Sequence, residues 1–282
     1  MNNFLTLCQR SAVIFSIIFT VVACDKLDNP KPVSPQVEAP KNPQLESNRV
    51  ELKRGVYSAL TSQPWQAQSE EQTQLLRDLF EGLTAYDAQG NIVPAVAESW
   101  QTRDNKTWIF TLRENAKWSN GEAVKALDFV QSWQALSQSE SPLKNYLAFM
   151  NVKNAKAVLE KTLAVGSLGL FAENDRTLRI ELDKASPYLP SMLAHVSLLP
   201  SYTKSTETFI SNGAYQLQSQ AENQHILTAN PYYWAKEKVI FQQVKYQKIA
   251  ADADLSDFDI VLNPKKSVQN IQDYPQLCTY FY

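Results

Sequence analysis

The sequence predicts a mixed α/β fold in two lobes. Strand-period and helix-period segments alternate along most of the chain instead of falling into separate blocks, and no internal repeat is visible. The 282 residues, 44% hydrophobic and 20% charged, are enough for one large or two modest domains with real cores.

The elements follow in order. Leu75, Leu76, Leu79, Phe80 and Leu83 recur at helical spacing, with Gly82 near the end. Trp108, Phe110 and Leu112 alternate with Ile109, Thr111 and Arg113, which reads as a strand, and Glu98-Ser99-Trp100 should pack an aromatic ring against it. Asn120-Gly121 is a tight-turn signal. Val124, Leu127, Val130 and Trp133 recur at helical spacing, with Leu136 near the end and Asp128 at or just inside the start. Leu178, Ile180 and Leu182 alternate after the turn-like Asn174-Asp175, and Tyr215 and Leu217 follow the turn signal Asn212-Gly213. Val239, Phe241, Val244 and Tyr246 predict a further strand with a bulge between Phe241 and Val244.

Composition excludes several functions. Lys and Arg number 27 against 29 Asp and Glu, and no basic run is longer than a pair such as Lys53-Arg54 or Lys265-Lys266, so no nucleic-acid partner is expected. With 7 glycines, neither a dinucleotide fingerprint nor a P-loop occurs. The abundant aromatics suit a large core, with a sticky cleft as the other reading. The two histidines form no catalytic constellation: His195 sits in an apolar stretch and reads as a core residue, and His225 reads as lying at a strand end. The carboxylate pairs Glu70-Glu71 and Asp257-Asp259 read as solvated faces. Catalytic and metal-ligating motifs are missing, so no enzyme and no cofactor are expected.

The N-terminus reads as an address. Ser11 to Ala23 is a short apolar run behind Arg10, too short for a comfortable membrane span and suited to a signal-peptide core over 1–23. It ends in Val21-Val22-Ala23-Cys24, which resembles a bacterial lipobox and makes Cys24 the expected lipidation site. Residues 24–48 carry Pro30, Pro32, Pro35, Pro40 and Pro43 among polar residues, a semi-rigid tether that holds a globular body off a membrane. More than one acyl chain gives stable anchoring. Asp25 resembles a signal for retention in the inner membrane, so the expected place is the periplasm, anchored to that membrane.

From Arg77 onward a family resemblance emerges. The stretches RDLFEGL (77–83), VPAVAESW (93–100), TWIFTLRENAKWSNG (107–121), DFVQSWQ (128–134), NGAYQL (212–217), NPYYW (230–234), VKYQKIA (244–250) and LCTYFY (277–282) resemble, in order, the periplasmic oligopeptide-binding proteins of ABC transporters, solute-binding protein family 5. The resemblance implies a type II periplasmic-binding-protein-like fold. It divides the chain into a first lobe (49–80 and 203–277), a second lobe inserted in it (81–202), and the start of a third lobe (278–282) that is otherwise absent. It also implies that a peptide is trapped between lobes and paired along its main chain as an added strand.

Site residues follow from the same resemblance. Gln68, Ser69 and Glu70 align with the loop whose backbone pairs with peptide. Asn263 falls where the family has a Tyr-Asn-Asn cluster, although Leu262 and Pro264 depart from it. Tyr280 and Phe281 sit at the crossover, where aromatics line the cleft. Gln63 stands before Pro64 where the family usually has Asp. Cys278 matches a cysteine bonded to the third lobe in relatives. The implied partners are oligopeptides, an inner-membrane ABC permease, the membrane through the lipid, and a separately encoded C-terminal half. The alternative is a truncated or split-gene product without independent transport function. Relatives on this fold also take haem, antimicrobial peptides or nickel chelates, so the fold does not fix the ligand.

Overall fold

The computed structural model describes residues 50–204 and 208–265. All of these belong to one compact unit, 45–282. In chain order the strands are β1 (Glu51–Val56), β2 (Thr84–Tyr86), β3 (Ile92–Pro94), β4 (Ala97–Thr102), β5 (Thr107–Leu112), β6 (Leu170–Ala172), β7 (Thr177–Glu181), β8 (Tyr215–Ala221), β9 (Gln224–Ala229), β10 (Gln243–Lys248) and β11 (Ile260–Val261). The helices are α1 (Glu70–Leu79), α2 (Ala126–Gln138) and the short α3 (Tyr146–Phe149), α4 (Ala155–Leu159) and α5 (Leu189–Met192).

The first sheet has the order β11-β1-β10-β9-β8. β1 runs parallel to β10 on one side and to β11 on the other, while β8, β9 and β10 form an antiparallel meander. Leu52, Val244, Tyr246 and Leu227 are buried at alternating positions, and Leu75, Leu76 and Leu79 of α1 join the same core. β10 begins at Gln243, after Phe241, and its register with both neighbours is continuous, so the expected bulge is not there. A register shift falls in β8 instead, between Leu217 and Ser219. His225 lies near the start of β9, buried and opposite Tyr246.

The second sheet, β4-β5-β7-β6, is antiparallel throughout. Trp108, Phe110 and Leu112 alternate inward with Leu178 and Ile180, and α2 lies over β6 and β7. Trp100 packs its ring 6.2 Å from that of Phe110, as the sequence suggested. α2 starts at Ala126, where the Asp128 carboxylate accepts the Lys125 amide at 2.8 Å and the Trp118 indole N–H at 3.1 Å. Its buried face is Ala126, Phe129, Val130, Trp133 and Leu136, which includes Val130, Trp133 and Leu136 of the sequence reading, whereas Leu127 is 48% exposed. The discrepancy arises because Val124 is buried before the helix begins and so does not set its phase. Asn120-Gly121 does form the turn, with Gly121 at φ +86°.

The chain leaves the first sheet through 79–83 and returns through 211–215, and the two passages interlock. Asn212 brackets Glu81, accepting its N–H at 3.1 Å and donating to its C=O at 2.9 Å. A Cβ at Gly213 would lie 2.6 Å from the Leu79 carbonyl carbon, so this glycine serves close backbone approach. The Glu81 carboxylate accepts the Tyr233 hydroxyl at 2.5 Å and the Trp234 indole N–H at 2.6 Å, and the Arg113 guanidinium lies 3.7 Å from the Trp234 ring. Removal from water pushes this carboxyl up to about 7, against the opposing pull of those hydrogen bonds and of Arg113.

Candidate functional site

Parallel strands carry their ligands beyond their carboxyl ends, where the chain departs to either side. Here β1 is that central strand, flanked by β10 and β11. The three are packed so closely that a Cβ on Gly55 would meet Ile249 Cδ1 at 2.9 Å, Val261 Cγ2 at 3.0 Å and Phe258 Cγ at 3.2 Å. The Asp259 carboxylate accepts the Lys53 amide at 2.8 Å, and the Asp259 amide donates to the Lys53 carbonyl at 2.9 Å.

The loop leaving β1 runs over 57–69, and the first turn of α1 holds its base. Glu71, 8% exposed, accepts the N–H groups of Tyr57 and Ser58, both at 2.8 Å. Gln72 spans the two legs: its Oε1 accepts the Gln68 N–H at 2.7 Å and its Nε2 donates to the Ala59 carbonyl at 2.5 Å. Ser69 caps α1 by accepting the Gln72 N–H at 3.2 Å. Farther out, Trp65 accepts the Ser141 hydroxyl at 2.6 Å through its carbonyl, which ties the loop to the segment after α2.

Behind this edge lies a buried polar group. Arg54 donates to Gln74 Oε1 at 2.6 Å and stands 4.0 Å from Asp78, whose Oδ2 accepts the Tyr246 hydroxyl at 2.6 Å. Burial raises both the Asp78 carboxyl and the Tyr246 phenol, with Arg54 opposing each rise. The network fixes α1 on the sheet.

The residues expected from sequence fall as follows. Gln68 and Glu70 are exposed and Ser69 half-buried, at the junction of the loop with α1. Asn263 is exposed just past β11, at φ +48°, and so lies at the same end of the sheet. Cys24, Cys278, Tyr280 and Phe281 lie outside the described residues. The pair Glu70-Glu71 is not a solvated face: Glu70 is exposed, but Glu71 is spent on two backbone amides. Tyr57, Glu71 and Gln72 were missed as elements of the site. The pattern Ser69-x-x-Gln72 is a capping-box signature and could have located the loop's end. Among the described residues no group of three or more His, Cys, Asp or Glu could hold a metal.

An α/β body of two larger sheets and the small β2-β3 pair, whose central parallel strands open onto a pinned loop, is the architecture of a periplasmic solute-binding protein. Residues 91–259 match the family described as bacterial extracellular solute-binding proteins, family 5, and the chain belongs to that family. It is 88% identical over 282 residues to a "Putative binding protein" of Haemophilus influenzae, covering 100% of this chain and 55% of that relative. It is 33% identical over 291 residues to the periplasmic murein peptide-binding protein MppA of Escherichia coli, covering 93% of this chain and 54% of MppA. The solved MppA structure superposes with a TM-score of 0.68 over 72% of this chain and 42% of that one. Haemophilus influenzae OppA, solved in complex with the peptide RPPGFSPFR, is 30% identical with a TM-score of 0.68 over the same shares of the two chains, 72% and 42%. The chain thus spans about half the length of the curated relatives it matches.

Proposed function

We propose that this chain gathers oligopeptides as the N-terminal part of an exported, lipid-anchored binding protein that serves an inner-membrane ABC permease. It performs no chemistry on the ligand. The observation that carries the reading is the pinned loop 57–69 at the carboxyl ends of β1 and β11, in a chain related to two proteins named for peptide binding. The peptide main chain lies along Gln68, Ser69 and Glu70, paired as an added strand. Asn263 lies at the neighbouring strand exit, and Tyr280 and Phe281 line the cleft. In this reading the first sheet, with 49–80 and 203–277, is the first lobe, and 81–202 is the second. Cys24 carries the lipid behind a signal at 1–23, and 24–48 is the tether.

Backbone pairing alone gives affinity with little preference for ligand sequence, because every peptide offers the same groups. Enclosure of the ligand adds most of the remaining affinity. Calorimetry with mixed tripeptides to pentapeptides tests the reading. The expected result is weak binding by the chain alone, and tighter binding when the region of the Haemophilus relative that this chain does not span is added as a separate polypeptide. Failure of both mixtures to bind any peptide would overturn the proposal. Intact mass of membrane extracts tests the lipid on Cys24, and an unmodified Met1 would sink the export reading.

A further inference from the structure

The exposed apolar side chains of the first sheet are gathered at one end of it. Among the described residues 50–80 and 208–265, which build that sheet and α1, the large apolar side chains left exposed are Val50, Tyr232 and Ile240. All three lie at the amino end of β1. That strand runs parallel to β10, so both begin at the same end of the sheet, and the antiparallel β9 finishes there. The Val50 carbonyl accepts the amides of Gln242 at 2.9 Å and Gln243 at 3.1 Å, which brings Val50 against the loop that leads from β9 to β10.

This loop holds its apolar side chains outward. Val239 packs against the core and Phe241 is buried, which leaves Ile240 between them on the surface. The Tyr232 ring is seated on Gly121, where an added Cβ would meet Tyr232 Cε1 at 3.2 Å. Between Tyr232 and Ile240 lies the turn Lys236–Lys238, with both lysines exposed beside the exposed Glu237. The neighbouring carboxylates are already matched, Glu51 by Lys245 at 2.6 Å and Glu122, next to Gly121, by Lys204. This end therefore carries a net positive charge with apolar side chains around it. The acids Asp252, Asp254 and Asp257 follow the opposite end of β10.

We propose that this end of the first sheet is a docking surface for an anionic bilayer. The inference rests on the reading of Cys24 as a lipid site and adds the orientation of the body on its membrane. Residues 24–48, the proposed tether, lead to Val50, so the chain enters the body from the membrane at this end of β1. Lysines are drawn to the negative surface potential of anionic lipids, and exposed tyrosine and isoleucine side chains suit the headgroup boundary. Both attractions are weak for a free protein. A tethered body is held near the surface at a concentration on the order of millimolar, so weak contacts suffice. The candidate loop then stands at the other end of β1, about 20 Å farther from the bilayer, and opens away from it.

The experiment uses the chain extracted from membranes and reconstituted into vesicles, either of phosphatidylcholine alone or with about a third phosphatidylglycerol, with amide exchange read by mass spectrometry. Exchange over 231–242 is expected to slow about three-fold on the anionic vesicles, an effect lost at about 1 M salt, where charges are screened within about 3 Å. Exchange over 57–69 and 252–258 should be the same on both vesicles. Lys236→Gln combined with Lys238→Gln should erase the difference without changing the melting temperature, the two arginine replacements should keep it, and Ile240→Ser should shrink it. Equal exchange on the two vesicles, or a difference unchanged in the double glutamine variant, would overturn the inference while leaving lipidation and peptide binding intact. Slowing that follows the density of chains and not the lipid charge would overturn it in favour of a second copy on this surface. Intact mass is read on the same sample, and a chain without lipid on Cys24 would overturn the anchoring reading, and this inference with it.

Discussion

The Glu81 carboxylate accepts the indole N–H of Trp234 at 2.6 Å, joining the segment that follows α1 to a loop 153 positions later. The Tyr233 hydroxyl shares the same carboxylate. This contact closes the interlocked passage between the two sheets, and it has a consequence for pH.

Removal from water raises the Glu81 carboxyl from its ordinary 4.5 to about 7. A folded-state pKa above the unfolded one means that the folded chain holds the proton longer. The stability so contributed is full below pH 4.5 and is lost as pH rises through 7. Unfolding free energy should therefore fall by about 1–3 kcal/mol across that window and level off above it. His195 and His225, both lowered by burial, act in the opposite sense, because they favour unfolding as acid protonates the unfolded chain. Urea unfolding of native and Glu81→Gln chains between pH 4.5 and 8 isolates the Glu81 part as their difference. Parallel pH profiles would contradict it.

Glu71 should be the costliest polar residue at the loop base. Replacing it with Ala leaves the Tyr57 and Ser58 amides without their acceptor, which is expected to lower stability by about 2–3 kcal/mol. Glu71→Gln retains an acceptor oxygen and should recover roughly half of that loss. Amide exchange at Tyr57 and Ser58 should speed up in Glu71→Ala and not at residues of β5. A Glu71→Ala chain as stable as the native one would show that the loop does not depend on this carboxylate.

Much of the fold was legible because burial follows backbone period. Trp108, Phe110 and Leu112 alternate, and Leu75, Leu76 and Leu79 recur at helical spacing, and both sets are buried as those periods require. What could not be read is long-range. Nothing near Asn212-Gly213 in sequence reveals that the pair is needed to grip Glu81 and to bring the Gly213 N–H to 2.8 Å from the Leu79 carbonyl, and a local reading sees only a turn. The candidate site shares this difficulty: Asn263 meets the end of β1 only because two short parallel strands pair, which periodicity does not report. Glu71 was misread because a charged pair normally faces water, and only its partners at Tyr57 and Ser58 show otherwise.

Leu127 gives a direct check on the phase of α2. Helical spacing from Val124 would place it in the core, yet it is 48% exposed, while Val130 is 5% exposed. Leu127→Lys is expected to change stability by no more than about 0.5 kcal/mol. Val130→Lys buries a charge and should cost about 3 kcal/mol or more. Thermal melts of the two variants test this contrast, and a large loss in Leu127→Lys would show that Leu127 is buried, as its spacing from Val124 suggested.

Gly55 connects the packing of the first sheet to its carboxyl edge. An added Cβ would crowd Ile249 Cδ1 at 2.9 Å, Val261 Cγ2 at 3.0 Å and Phe258 Cγ at 3.2 Å. The end of the isoleucine can swing aside. Val261 pairs directly with Gly55 in the ladder, and Phe258 adjoins Asp259, which is bonded twice to Lys53, so these two can yield only by drawing β11 off β1. Gly55→Ala is therefore expected to lower stability by about 1–3 kcal/mol. The strain should reach the residues that follow both strands. The Lys265 amide, which donates to the Tyr57 hydroxyl, should exchange faster in Gly55→Ala, while amides of β5 and β7 keep their native rates. Unchanged exchange at Lys265 in a destabilised Gly55→Ala chain would mean that the corner beyond β1 and β11 is set by the loop alone and not by the spacing of the strands beneath it.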